Sequence, residues 1–155
     1  MNTKVTMEEL LPFIEDAFNN GKTFTIPITG TSMLPLLVQG RDTVTIKKID
    51  EDLKKGDLPL YRRKDGAFVL HRIIDINEDG SFVMCGDNQF IKEFGITSGN
   101  LIGIVCEINR NGNTFSVEDE SYVRYVNRVL RFFNVRYPLR RLRYALHKIK
   151  VKITK

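Results

Sequence analysis

Three glycine turns constrain this chain more than any other feature. Asp65-Gly66, Asp79-Gly80 and Asn111-Gly112 each separate two short runs rich in Val, Ile, Leu and Phe. Such dipeptides supply the positive φ angles that tight hairpins need. Leu58–Arg62 is expected to pair with Phe68–Ile76, Phe68–Ile76 with Ser81–Cys85, and Leu101–Ile108 with Thr114–Val117. Upstream, Phe24, Ile26 and Ile28 alternate with Thr23, Thr25 and Pro27, and Val44 and Ile46 repeat the period within Asp42–Ile49. That alternation marks half-buried strands. Pro59 cannot donate to a ladder, which predicts an edge position for its strand. Short strands at this spacing predict a mainly β (α+β) fold, an antiparallel and partly open β-barrel rather than alternating βαβ units.

The two ends read as helices. Thr6-Met7-Glu8-Glu9 has capping-box spacing, and Leu10, Leu11, Phe13, Ile14, Ala17 and Phe18 follow at helical intervals. Pro12 predicts a kink or a later start, and Asn20-Gly21 a stop. After Glu120, Tyr122, Val126, Val129, Leu130 and Phe133 form one apolar stripe. Beyond Tyr137-Pro138, Leu139, Leu142, Leu146 and Ile149 form a second, which predicts a helical hairpin. The 155 residues thus divide into an N-terminal helix (1–21), a β domain (22–118) and a basic amphipathic extension (119–155).

Charge divides at the same place. All 19 Asp and Glu lie at or before Glu120, whereas 11 of the 24 Lys and Arg follow it, so the net +5 conceals an acidic body and a basic tail. The tail is expected to pack its stripes on the barrel. An anionic membrane surface is the next reading, because Arg-rich polar faces beside Phe132, Phe133, Tyr137 and Tyr144 suit an interface. Nucleic acid is disfavoured, since no recognition motif is present and the acidic body repels phosphate. Glu8, Glu9, Glu15 and Asp16 occupy the region where a secretory signal needs basic and then apolar residues, and no apolar run approaches the roughly 20 residues that span a bilayer. Cys85 and Cys106 match no metal-ligand spacing and are expected to be reduced core residues. The expectation is a cytoplasmic protein, free of metal and cofactor, that reaches a membrane only peripherally.

One stretch interrupts the strands. In Gly30-Thr31-Ser32-Met33-Leu34-Pro35, the glycine opens backbone angles closed to other residues and the proline fixes its own φ. The expected result is an exposed bend that presents the Ser32 hydroxyl. A serine becomes a nucleophile only when a base takes its proton, and histidine has the matching pKa. His147 lies among the cations of the tail, which leaves His71, within Phe68–Ile76.

In order along the chain, this bend, Gly40 and Asp42, Gly56-Asp57, His71-Arg72-Ile73-Ile74 and Gly86-Asp87-Asn88 resemble the superfamily that unites signal peptidase I with self-cleaving SOS-type repressors. The likeness runs from about Phe24 to Ile108. It implies a LexA/signal-peptidase-like barrel and a serine-type endopeptidase acting on a peptide or protein precursor. His71 stands where the general base falls in the branch that uses histidine rather than lysine. The resemblance implies Ser32 as nucleophile, His71 as base and Asp87 as the acid orienting it, with Glu93 the alternative acid. It places Gly30, Thr31 and Met33 on the substrate and oxyanion side. Signal peptidases carry a serine at the position of Gly30, so oxyanion stabilisation would fall to backbone N–H groups near Ser32, helped by Thr31, while Met33 floors the cleft. Asp42 and Asp57 are expected to shape turns.

Two other readings stay open at this point. A non-catalytic peptide-binding or scaffold module could use the same fold. A self-cleaving regulator would need a DNA-binding domain and a scissile dipeptide ahead of the serine, whereas Cys85-Gly86 follows it.

Overall fold

In the computed structural model, which describes residues 6–135 together with Pro138 and Leu142, the chain opens on the capping box its spacing predicts. Helix α1 (Met7–Asn19) starts where Thr6 Oγ1 accepts from the Glu9 amide at 3.3 Å while Glu9 Oε2 accepts from the Thr6 amide at 2.7 Å. Pro12 lies inside this helix and does not delay its start. Asn20 ends it, and Gly21 turns the chain at φ +66°.

The body is mixed α+β and mostly antiparallel, curled into a half-barrel. Its strands are β1 (Phe24–Pro27), β2 (Thr43–Lys47), β3 (Pro59–Arg62), β4 (Phe68–Leu70), β5 (Arg72–Ile76), β6 (Phe82–Cys85), β7 (Glu93–Ile96), β8 (Leu101–Arg110) and β9 (Asn113–Ser116). One sheet runs β1-β2-β8-β3-β4, with β9 also paired to β8; a second runs β5-β6-β7. The turn signals perform as expected. Asn111 and Gly112, with φ of 52° and 83°, join β8 to β9 as a primed hairpin turn requires.

Four expectations need correction. Pro59 does not mark an edge, because β3 lies between β8 and β4; as the first residue of its strand the proline is tolerated there. Phe68–Ile76 is not one strand. Leu70 pairs with Leu60 in the first sheet, and Arg72 pairs with Cys85 in the second, so the chain changes sheets at His71. Ile73 exchanges backbone hydrogen bonds with Gly56 and Asp57, which draws the segment away from β3. Strand β7 was not expected at all. Cys106 is only half-buried, whereas Cys85 is a core residue.

The main core joins α1, β1, β2 and β8 through Ile14, Phe18, Ile26, Val44, Ile46 and Ile108, and a smaller one joins Tyr61 of β3 to Ile73, Phe82, Met84 and Ile96. His71 sits at the junction. Helix α2 (Glu120–Arg131) buries Tyr122 and Val129. It comes so close to the body that a Cβ on Gly56 would stand 2.7 Å from Val126 Cγ1. The second tail helix expected over 138–149, and His147 with it, falls outside the described residues apart from Pro138 and Leu142. Among the described residues no helix is long and apolar enough to cross a membrane.

Candidate active site

The serine bend is anchored from beneath. Met33, Leu36 and Leu37 are 3%, 4% and 0% exposed and belong to the main core. Burying each such side chain is worth about 1.5–3 kcal/mol, which holds the bend down while Ser32 itself stays half-buried. Gly30 takes φ +78° and donates its amide to Gln39 Oε1 at 2.8 Å. Leu34 N–H donates to the Thr31 carbonyl at 3.3 Å and Leu37 N–H to that of Met33 at 3.0 Å. The Leu34–Pro35 peptide is cis.

From the side, the Gly86-Asp87-Asn88 turn clasps the same bend. Asn88 donates its amide to the Ser32 carbonyl at 2.7 Å and its side-chain Nδ2 to the Thr31 carbonyl at 3.1 Å. Gly86 is buried, and it must be glycine for reasons of space. A Cβ there would lie 2.6 Å from the Ser32 carbonyl oxygen, 3.0 Å from Ser32 Cβ and 3.2 Å from His71 Nε2. Ser32 and the His71 ring thus line the same narrow gap. Among the hydrogen bonds of the described residues none joins Ser32 Oγ to Nε2.

The other ring nitrogen is held by a polar cluster. His71 Nδ1 is 3.0 Å from Glu93 Oε1 and 3.3 Å from the Tyr61 hydroxyl. Tyr61 donates to Glu93 Oε2 at 3.0 Å, and Arg63 forks onto the carboxylate, with Nε 2.7 Å from Oε2 and Nη2 on Oε1. With the Tyr61 proton directed to Glu93, the hydroxyl and carboxylate oxygens around Nδ1 can only accept. That arrangement selects the tautomer with hydrogen on Nδ1 and the lone pair on Nε2.

The electrostatics agree with that assignment. Burial holds the His71 pKa below the ordinary imidazole value; the Glu93 charge opposes this and the Arg63 charge adds to it. For Glu93, burial works upward, but hydrogen bonds from Arg63 and Tyr61 and the His71 charge leave its pKa below the ordinary carboxylate value. Burial and the Glu93 charge push the Tyr61 hydroxyl well above its usual range, so it stays a donor. The site at neutral pH is a neutral imidazole against an ionised, cation-capped carboxylate.

Asp87 is engaged elsewhere. Its Oδ1 accepts from Arg72 Nε at 2.8 Å, its Oδ2 from Arg72 Nη2 at 2.7 Å and from the Tyr125 hydroxyl at 2.9 Å. Arg72 is 0% exposed and Asp87 6%. Burial opposes the charge on Arg72, yet the Asp87 charge and hydrogen bonds outweigh it and raise the guanidinium pKa. Successive residues of an extended segment point to opposite sides. His71 therefore meets Glu93, and Arg72 meets Asp87.

Of the residues marked in the sequence, the fold brings together Ser32, His71, Glu93 and the Gly86-Asp87-Asn88 turn. Met33 lies in the core under the bend, a packing position. Asp42 accepts from the amides of Val38 and Asn111, and Asp57 from that of Lys54, which are turn-shaping contacts. Tyr61, Arg63 and the space-limited Gly86 were missed as site residues. The i, i+2 spacing of Tyr61 on β3 and Arg63 just past its end, with β3 hairpinned to the strand leading into His71, was the available signal for the first two. Among the described residues no group of three or more His, Cys, Asp or Glu is placed to hold a metal ion. Comparison with protein-family models, with curated proteins and with solved structures gives no match.

Proposed function

We propose that the chain is a serine-type endopeptidase of the signal-peptidase/repressor kind, with a LexA-like barrel, acting on an extended peptide or precursor segment. One observation carries this reading. His71 Nε2 and Ser32 Cβ both lie about 3 Å from the missing Cβ of Gly86, while Nδ1 of the same ring rests 3.0 Å from an Arg-capped carboxylate. Structural histidines are commonly buried and hydrogen-bonded; an acceptor-only cluster on one nitrogen and a serine beside the other is the arrangement of a base and its orienting acid. Glu93, rather than Asp87, takes the orienting role in this proposal.

The chemistry follows. Ser32 Oγ attacks the scissile carbonyl carbon as Nε2 accepts its proton, and Glu93 stabilises the imidazolium that forms. Nε2 then delivers that proton to the leaving amine as the C–N bond breaks, leaving an ester on Ser32. Water, deprotonated by the same nitrogen, hydrolyses the ester and restores the serine. The carbonyl oxygen develops charge near the Ser32 amide, which none of the bend's hydrogen bonds among the described residues uses. The substrate would add as a strand beside the bend, with small side chains next to the cut, as the resemblance implies. Basic residues beyond α2 would bring the enzyme to an anionic membrane surface.

The test is to incubate the full chain with a defined library of synthetic peptides and read the cleavage sites by mass spectrometry. Wild type is expected to cut a subset that Ser32→Ala and His71→Ala cut at least about 10²-fold more slowly. Equal cutting by Ser32→Ala rules the mechanism out. A library left intact by all three proteins, with peptide binding retained, favours the non-catalytic binding module.

A further inference from the structure

The catalytic face is tied to α2 by contacts that the proposed reaction does not itself use. The Arg72 guanidinium donates through Nη1 to the Gly56 carbonyl at 2.8 Å and to the Tyr122 hydroxyl at 3.2 Å. It also lies over the rings of Tyr122 and Tyr125, with Cζ 5.9 and 5.8 Å from their centroids. Tyr125 donates to Asp87 Oδ2, the oxygen that Arg72 Nη2 also holds. A hydrophobic stripe alone would seat this helix. Two hydroxyls on successive helical turns, both aimed at one buried ion pair, add directional bonds that hold only in one position of the helix.

The line continues to the nucleophile. Asp87 stands between Gly86, against which Ser32 and His71 pack, and Asn88, whose amide and side chain hold the Ser32 and Thr31 carbonyls. We infer that Tyr122 and Tyr125 of α2 are positioning residues, acting through the Arg72–Asp87 pair to hold the Gly86–Asn88 turn against Ser32. This rests on the reading of Ser32 as a nucleophile only for its catalytic consequence; the mechanical link stands on the contacts alone.

The experiment uses the full chain with Tyr125→Phe, Tyr122→Phe and both together, substitutions that keep the rings over Arg72. Amide hydrogen exchange at Asn88 is followed by NMR against Ile46 and Ile108, whose core amides report global opening. In parallel, the saturation and inactivation constants for an alkyl fluorophosphonate on Ser32 are measured. The double variant is expected to exchange Asn88 about tenfold faster with the two isoleucines unmoved. Its inactivation rate constant should fall about tenfold with the saturation constant little changed. Asn88 exchange that stays at the wild-type value, or that rises only in step with the isoleucines, overturns the inference. So does faster exchange with inactivation unaffected. If wild type itself takes no label, the nucleophile reading falls, and the exchange arm still decides whether α2 holds the turn.

Discussion

His71 and Arg72 are neighbours in sequence, each facing a carboxylate, and they have opposite characters. Arg72 and Asp87 are shut away, with side chains 0% and 1% exposed, and guanidinium and carboxylate meet in a two-point fork. His71 is as buried, but Glu93 lies nearer the surface with its side chain 17% exposed, and one partner is an imidazole able to take up a proton. The first pair is buried and each of its oxygens is already held by a donor, so it serves to hold. The second can gain and lose one proton without rebuilding its surroundings, because Arg63 and Tyr61 keep Glu93 in place either way. The passage from β4 to β5 thus sets a buried ion pair and an imidazole–carboxylate pair back to back.

Breaking the fixed pair should have the largest effect. Asp87→Ala strands a buried guanidinium, and urea unfolding is expected to show a loss of about 3–5 kcal/mol. Glu93→Gln is the counterpart on the titratable side. It keeps the shape but sets an –NH2 against donors that both carboxylate oxygens serve, so stability should fall by about 1–3 kcal/mol, while peptide cleavage falls about 10²- to 10³-fold because Nδ1–H loses its ionised acceptor. If the two substitutions exchange these signatures, the division of labour is wrong. Gly86→Ala tests the gap between the pairs. The added methyl meets the Ser32 carbonyl oxygen at 2.6 Å, backbone that cannot rotate away, so about 1–3 kcal/mol of stability and most of the Ser32 reactivity should be lost.

Acid should weaken the titratable side in a definite order. The folded-state pKa of His71 lies below its unfolded value, so as pH falls the unfolded chain takes up that proton first. The stability that His71 contributes is complete above the ordinary imidazole pKa and is lost as pH falls toward the folded one. Glu93 has the same sign at lower pH. Thermal unfolding midpoints in wild type should therefore fall from neutral to mildly acidic pH.

Much of this architecture could be read in advance, and the omissions have physical causes. The hairpins at Asp79-Gly80 and Asn111-Gly112 and the capping box at Thr6 were legible because local chemistry decides them. The break at His71 was not, since Phe68–Leu70 before it and Ile73–Ile74 soon after it read as one strand, and only the Ile73 bonds to Gly56 and Asp57 split it. Strand β7 escaped because Glu93-Phe94-Gly95-Ile96 lacks alternation and gains its place from pairing with β6. The choice between Asp87 and Glu93 turned on the same point. Asp87 lies in the turn that clasps the serine bend, yet Arg72, one residue from His71, claims it. Spacing along a chain ranks candidates, but only the return of β7 decides which carboxylate reaches the ring.

The central claim is that Ser32 and His71 act as one unit, and one measurement tests it directly. The full chain is treated with an alkyl fluorophosphonate across a pH series, and the rate of adduct formation at Ser32 is compared with the NMR titration of the His71 ring. In that reaction Ser32 Oγ bonds to phosphorus, fluoride leaves and the serine proton passes to Nε2. The account predicts one adduct, on Ser32, with a rate that falls about tenfold per unit of pH below an inflection lying under the ordinary imidazole pKa and coinciding with the His71 titration. A rate on Ser32 that ignores the His71 titration, or no adduct there at any pH, would contradict it.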